Sequence, residues 1–100
     1  MFDLTGKKAL VTGASGGIGG AVAAVLHAAG ATVALSGTRE APLRELAESL
    51  GARAHVVTAN LGDAAEVEAL PKAAAEAMGG IDILVNNAGI TRDNLFMRMS

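Results

Sequence analysis

The stretch Thr12-Gly13-Ala14-Ser15-Gly16-Gly17-Ile18-Gly19 follows the short apolar run Ala9-Leu10-Val11 and precedes a helix-like run that continues to Ala29. A glycine-rich turn between a buried strand and a helix lets the backbone approach a pyrophosphate. The free N–H groups at the helix start supply donors and partial positive charge. The stretch therefore predicts a phosphate-binding turn. The alternative is a flexible Gly/Ser loop, because such glycine motifs also recur by chance.

Individual residues of this turn have distinct predicted roles. Gly13 allows a sharp exit from the strand, Gly17 leaves no side chain in the way of a phosphate, and Gly19 lets helix and sheet approach closely. Ser15 is predicted either to donate to a ribose or phosphate oxygen or to support the turn itself. Gly16 and Ile18 complete the predicted contact segment.

Strand-like and helix-like segments alternate along the chain. Apolar runs predict strands at 9–11, 32–35, 54–57 and 81–85, with a helix after each of the first three. We expect Asp63 to cap the third helix and Pro71 to kink it without breaking it. Residues 94–99 predict a further helix. The apolar stripes expected to face the sheet are Ile18, Val22, Val25, Leu26 and Ala29 in the first helix, Leu43, Leu46, Ala47 and Leu50 in the second, and Val67, Leu70, Ala74 and Ala77 in the third.

The order βαβαβαβ with short connections predicts an α/β fold with a doubly wound, Rossmann-like parallel sheet and helices on both faces. The expected strand order is 3-2-1-4, with an open outer edge on the fourth strand. The direction in which successive strands are added to the sheet reverses between strands 1 and 4, which opens a crevice at their carboxyl ends. The glycine turn and the segment Asn86-Asn87-Ala88-Gly89 meet at that crevice. Residues 1–100 form one dinucleotide-binding domain, which we expect to be incomplete.

Composition excludes several classes of function. The net charge of −2 and the lack of a Lys/Arg run argue against nucleic-acid binding, and the absence of cysteine excludes disulfides and thiolate chemistry. The two histidines lie too far apart to suggest a metal site. The opening residues lack an apolar core of signal-peptide length, which favours a cytoplasmic protein. Ile18 to Leu35 is apolar enough to raise a membrane helix, but Gly30 is typical of a helix end within it.

The two motifs at 12–19 and 86–89 together resemble those of the short-chain dehydrogenase/reductases, over the whole chain. Asn86 to Leu95 and the opening Leu4-Thr5-Gly6-Lys7 look most like bacterial 3-oxoacyl-[acyl-carrier-protein] reductases. The resemblance implies an NADPH-dependent oxidoreductase of fatty-acid biosynthesis that reduces 3-oxoacyl thioesters on acyl carrier protein, assembled as a homotetramer. The alternatives are another short-chain keto-reductase or alcohol dehydrogenase, or a non-catalytic nucleotide-binding module.

Charge at the end of the second strand bears on the choice of cofactor. NAD-specific sites place an acid there to bind the ribose hydroxyls, and that acid repels the 2′-phosphate of NADP. Ser36, Gly37 and Thr38 include no acid, and Arg39 is a bidentate partner for a phosphate, so NADPH is favoured. Two features argue the other way: Glu40 is adjacent, and Gly16 stands where many NADP-using relatives carry a basic residue. The alternative for Arg39 is a solvated residue.

The resemblance also implies contacts after the third and fourth strands. Asn60 and Leu61 match the segment that holds adenine, although Asn60 is equally typical of a turn. The segment that lies along the nicotinamide ribose corresponds to Asn87, Ala88 and Gly89.

Catalysis in this family, as the resemblance implies, uses a Tyr as general acid, a Lys four residues later and a Ser. The chain contains no tyrosine. We therefore expect these residues to be the N-terminal part of a longer enzyme, and no catalytic residue is assigned.

Overall fold

The computed structural model describes residues 3–59, 63–86 and 96–99, the last of these by backbone alone. Three βα units are followed by two further strands. In chain order the elements are β1 (Lys8–Val11), α1 (Gly17–Ala28), β2 (Thr32–Leu35), α2 (Glu40–Leu50), β3 (Ala54–Val56), α3 (Ala64–Met78), β4 (Ile83–Asn86) and β5 (Phe96–Met99). The predicted strands therefore form close to their predicted positions, with β4 beginning at Ile83 and not at residue 81.

One sheet contains all of these strands, in the order β3-β2-β1-β4-β5. The first four are parallel, and β1 lies between β2 and β4, with Ala9 opposite Val33 on one side and Ile83 on the other. This confirms the doubly wound fold with strand order 3-2-1-4. The carboxyl ends of β1, β2 and β4 consequently share one end of the sheet, which is where ligands bind in open α/β sheets.

The segment after β4 corrects two expectations. Residues 94–99 do not begin a helix in the described part: Phe96–Met99 is a strand that pairs antiparallel with β4, with Ile83 opposite Met99. The outer edge of β4 is therefore paired. An isolated short helix gains little, whereas the unpaired N–H and C=O groups of an edge strand offer an immediate template for pairing.

Helices cover the sheet on both faces, as expected. On the face of α1 and α2, the core centres on fully buried side chains such as Val11, Leu35 and Leu43. On the opposite face, α3 packs Leu70, Ala74 and Met78 over Leu10 and Ala34. Adjacent strand residues thus enter different cores, which explains why β1 and β2 are apolar at nearly every position.

The face that α1 buries matches the predicted stripe only in part. Leu26 is buried and Val22 packs against the core, as predicted. Ile18 and Val25 are instead 64% and 67% exposed, whereas Gly19 and Ala23, which lie outside the stripe, are buried. Small side chains let the helix axis approach the sheet, so the helix is rotated to put Gly19 and Ala23 at the interface. The stripe in α2 is confirmed: Leu43 is buried and Leu46 packs against the same core.

The third helix has the predicted start. The Asp63 side chain accepts hydrogen bonds from the N–H groups of Ala65 and Glu66, at 2.9 and 3.4 Å. The helix continues through Pro71 to Met78. Leu70 and Ala74 are buried as predicted, but the stripe differs at both ends. Val67 in the first turn is 39% exposed, and Ala77 is exposed while Met78 is buried in its place.

The apolar stretch from Ile18 to Leu35 holds most of α1, a turn and then β2. Within the described residues, no helix has the length and apolarity that crossing a membrane requires. Nor do residues 3–59 and 63–86 bring together three side chains of the metal-ligating types. His27 has a backbone partner, because its Nε2 lies 2.6 Å from the oxygen of Ala52.

Candidate cofactor site

Backbone hydrogen bonds hold the glycine turn, residues 12–16, between the two strands that flank β1. The N–H of Thr12 donates to the backbone oxygen of Val85 at 3.0 Å, and the N–H of Ala14 donates to the backbone oxygen of Ser36 at 2.9 Å. The turn is thereby attached to β4 on one side and to the end of β2 on the other. These bonds to the sheet fix the backbone position of the turn, so a group bound above it contacts a rigid surface.

A side-chain contact reinforces the attachment to β4. The hydroxyl of Thr12 lies 3.1 Å from Oδ1 of Asn86 and 3.3 Å from the oxygen of Val85, and donates to them. No role for Thr12 follows from the sequence pattern, since the contact joins residues 74 apart in the chain. The strand order alone brings the two together.

The glycines of the turn occupy distinct environments. Gly13 has a φ of +65°, a conformation in which side chains other than glycine are strained. Gly17 is exposed, and a Cβ added there would meet nothing within 4 Å. Gly19 lies in the first turn of α1 and is buried. These environments agree with a sharp exit from β1, an open surface above the turn, and close packing of helix on sheet.

The start of α1 is electrostatically suited to an anion. Its N-cap is Gly16, which has no side chain to cap the helix, and the first turn contains no acidic residue. The first N–H groups of an α-helix lack partners within the helix and carry the positive end of its dipole. Half-buried Ser15 and exposed Ile18 border this end. The arrangement offers unneutralised donors beside an open surface.

Beyond the end of β2, the Arg39 side chain is exposed and the neighbouring acid, Glu40, forms an ion pair with another residue. Thr38 and Arg39 are both exposed where the chain passes from β2 to α2. The Glu40 carboxylate forms an ion pair with Nε of Arg44, one turn further along α2, at 2.5 Å. Glu40 is thus directed along its own helix, and the Arg39 guanidinium stays outside that pair.

The structure brings one set of predicted site residues to the same end of the sheet. These are Gly13, Ser15, Gly16, Gly17, Ile18, Gly19, Thr38 and Arg39. The remaining five lie outside the described residues, and their assignment stays a prediction. These are Asn60, Leu61, Asn87, Ala88 and Gly89.

Ser36 is a polar residue in an apolar setting beside this site. It is 0% exposed, and its Oγ has no hydrogen-bond partner among the described residues. In β2, Leu35 belongs to the core under α1 and Ala34 to the core under α3. Continuing this alternation places Ser36 on the side of α3, behind the turn.

Replacing Ser36 with alanine is expected to stabilise the fold. A buried hydroxyl without a partner costs about 1 to 3 kcal/mol, and the small void left by its removal offsets part of the gain, so the free energy of unfolding should rise by about 1 kcal/mol. Urea unfolding is best followed by far-UV circular dichroism, because the chain has no Trp or Tyr whose fluorescence could report on unfolding. The control is Thr12→Val, which removes a bonded hydroxyl and should lower stability. A decrease for Ser36→Ala would show that its hydroxyl is satisfied.

Comparison with known proteins agrees with this architecture. The family model described as short chain dehydrogenase matches residues 7–100. The chain is 61% identical to nodulation protein G of Rhizobium sp. (strain N33) over 100 residues, which are 100% of this chain and 41% of that protein. It is 50% identical to 3-oxoacyl-[acyl-carrier-protein] reductase of Vibrio harveyi over 98 residues, covering 98% of this chain and 40% of the reductase.

A solved structure has the same fold and a related amino-acid sequence. The 3-ketoacyl-(acyl-carrier-protein) reductase from Brucella melitensis, complexed with NADH, matches with a TM-score of 0.77 and 36% identity, over 83% of this chain and 34% of that one. The chain spans about two fifths of the length of the curated relatives it matches. Because the family match starts at Lys7 and takes in both the glycine turn and the parallel sheet that holds it, the chain belongs to the short-chain dehydrogenase family.

Proposed function

We propose that the chain is the dinucleotide-binding part of an NADPH-dependent reductase that acts on 3-oxoacyl thioesters. The observation that carries this proposal is the uncapped start of α1, held by backbone bonds at the carboxyl ends of β1, β2 and β4. A helix start of this kind binds phosphate groups in dinucleotide-binding folds. The family match supplies the expectation that the bound dinucleotide takes part in an oxidation or reduction.

The residues present fit such a cofactor. Gly17 leaves the surface above the turn open, and no acid in the first turn of α1 opposes a pyrophosphate. We assign the pyrophosphate to the N–H groups around Gly16 and Gly17, with Ser15 and Ile18 beside it. Asn60 and Leu61 would hold adenine, and the segment Asn87-Ala88-Gly89 the nicotinamide ribose. When bound, NADPH supplies the hydride.

Thr38 and Arg39 support NADP over NAD. A 2′-phosphate beside them gains charge-assisted hydrogen bonds from the guanidinium, whereas the Glu40 carboxylate, the nearest acid in sequence, is paired with Arg44. The Brucella melitensis relative was crystallised with NADH. That comparison supports a nicotinamide dinucleotide in general, so the preference for NADPH rests on the residues at the end of β2.

The proposed substrate class and assembly rest on the similarity to known proteins. The match to the Vibrio harveyi reductase supports a 3-oxoacyl chain on acyl carrier protein, and the resemblance implies a homotetramer. The higher identity to nodulation protein G favours a second candidate, an oxidoreductase of the same family with a different substrate.

Binding of the two cofactors to the purified chain tests the proposal. Titration calorimetry should show that NADPH binds at least about tenfold more tightly than NADH, because hydrogen bonds to a charged group contribute about 1.5 to 3 kcal/mol. NADP⁺ and 2′,5′-ADP should compete for the same site. Equal affinity for NADH and NADPH would contradict the choice of cofactor, and binding of neither would contradict the function itself.

The chain alone is expected not to turn over substrate. It contains no tyrosine, and the general acid of the proposed reaction is a tyrosine. Oxidation of NADPH in the presence of a 3-oxoacyl thioester should therefore remain at the uncatalysed rate, measured at 340 nm as the standard absorbance of the reduced cofactor. Turnover by the highly purified chain would contradict this expectation.

A further inference from the structure

The outer face of α1 differs in composition from the outer faces of the other two described helices. No Asp, Glu, Lys or Arg occurs from Gly17 to Ala28, whereas the exposed residues of α2 and α3 include Arg44, Glu48 and Glu76. A helix at the surface of a soluble protein normally carries polar side chains on its outer face, and a helix that is apolar on all sides is normally buried. The composition of α1 therefore indicates that another surface covers its outer face.

The exposed residues of α1 beyond Gly17 form one stripe with heptad spacing. They are Ile18, Ala21, Val25 and Ala28, at successive intervals of three, four and three residues. These intervals place the side chains in one row and correspond to the a and d positions at which two helices pack together. Ile18 and Val25, the two large residues of the row, are the most exposed large apolar side chains among the described residues. The row thus alternates large and small side chains.

This alternation makes the stripe complementary to itself in one orientation. When two copies of α1 pack antiparallel about a two-fold axis at the level of residue 23, Ile18 lies against the partner's Ala28. By the same symmetry, Ala21 lies against the partner's Val25. Every layer then joins one β-branched residue to one alanine, which keeps the packed volume even along the helix pair. A parallel pair would alternate a crowded layer of two Ile18 side chains with an open layer of two Ala21 side chains.

Electrostatics also favours a second copy of this helix as the covering surface. Antiparallel helices place the positive end of each dipole beside the negative end of the other. Because α1 has no Asp, Glu, Lys or Arg, a two-fold pair brings no like charges together. Its one titratable side chain, His27, is engaged within its own copy, with Nε2 2.6 Å from the backbone oxygen of Ala52.

We propose that the stripe formed by Ile18, Ala21, Val25 and Ala28 is an interface between two copies of this chain, with the two α1 helices antiparallel. This goes beyond the proposed function and does not depend on it. The helix has 12 residues and is therefore about 18 Å long. A contact of that length is smaller than a standard interface of about 800 Å² per partner, so the dissociation constant should lie between about 10 µM and 1 mM.

Sedimentation equilibrium of the chain without cofactor tests the interface. Dimers should form in that concentration range, and Val25→Glu should weaken the association by about tenfold or more, because it desolvates a carboxylate in an apolar contact. The matched control is Ala73→Glu, which adds the same charge at an exposed position of α3 and should leave the dissociation constant within about threefold. A chain that is monomeric at about 1 mM, or a Val25→Glu variant that associates like the control, would overturn the proposal and mean that another segment or another protein covers the stripe.

Disulfide cross-linking tests the orientation and does not depend on how well Val25→Glu folds. The chain contains no cysteine, so introduced thiols are the only ones present. In a glutathione redox buffer, a mixture of Ile18→Cys and Ala28→Cys chains should form the mixed disulfide. Either variant alone should form little, because the two copies of residue 18 lie roughly 15 Å apart along the antiparallel pair, beyond the roughly 7 Å that a disulfide spans. Self-linked Ile18→Cys dimers in place of the mixed product, or no disulfide at all, would overturn the proposal.

Discussion

Replacing Gly17 with aspartate is expected to remove dinucleotide binding while leaving the fold intact. The new side chain enters open space, since a Cβ at residue 17 meets nothing within 4 Å. Its carboxylate would lie beside the phosphates, and juxtaposed like charges cost several kcal/mol, so the affinities for NADPH and NADH should both fall by about 100-fold or more. An acid in the first turn of a helix is favourable for the fold, so the free energy of unfolding should rise by about 0.3 to 1 kcal/mol.

The matched control is Ala28→Asp, which adds the same charge to an exposed position at the other end of α1. Its cofactor affinities should stay close to those of the unsubstituted chain. Calorimetry gives the affinities, and urea unfolding followed by circular dichroism gives the stabilities. Normal NADPH binding by Gly17→Asp would mean that the start of α1 does not hold the pyrophosphate.

Replacing Arg39 with glutamate should separate the two cofactors. The substitution turns an attractive contact with the 2′-phosphate into a repulsive one, so NADPH affinity should fall by about 100-fold, while NADH, which lacks that phosphate, should change by less than about threefold. Arg39 is exposed at the N-cap of α2 and does not use its side chain to cap the helix. Little change in stability is therefore expected.

Arg44→Glu is the appropriate comparison, because it changes the net charge equally from a position on the same helix. Arg44 pairs with Glu40 on the surface, and losing such a pair costs at most about 1 kcal/mol. Its selectivity for NADPH should match that of the unsubstituted chain. An equal loss of NADPH and NADH affinity in Arg39→Glu would remove Arg39 from the phosphate site.

Element order and the position of the glycine turn are readable from the sequence because both depend on local patterns. Apolar runs of strand length alternate with helical stripes, and Gly51 and Gly79, both at positive φ, follow the ends of α2 and α3. Asp63 caps α3 as its residue type and spacing indicate. These features involve interactions within a few residues, and propensity and periodicity report on such interactions.

The rotation of α1 and the fate of residues 96–99 depend on contacts between distant segments. Periodicity favours Ile18 and Val25 as core residues, yet close approach to the sheet selects Gly19 and Ala23. The local pattern of residues 94–99 predicts a helix, yet residues 96–99 pair as a strand with the edge of β4. Both outcomes follow from packing between elements, which sequence patterns describe poorly.

The sequence by itself therefore determined the βα alternation, the parallel order of the first four strands, the family and the position of the glycine turn at the end of β1. Tertiary structure alone decided which face of α1 is buried, how Thr12 meets Asn86, and how residues 96–99 pair with β4. The physical reason is the range of the interactions. Hydrogen-bonded turns, caps and amphipathic stripes form between near neighbours in the chain, whereas contacts between distant segments arise only once the sheet has brought their strands side by side.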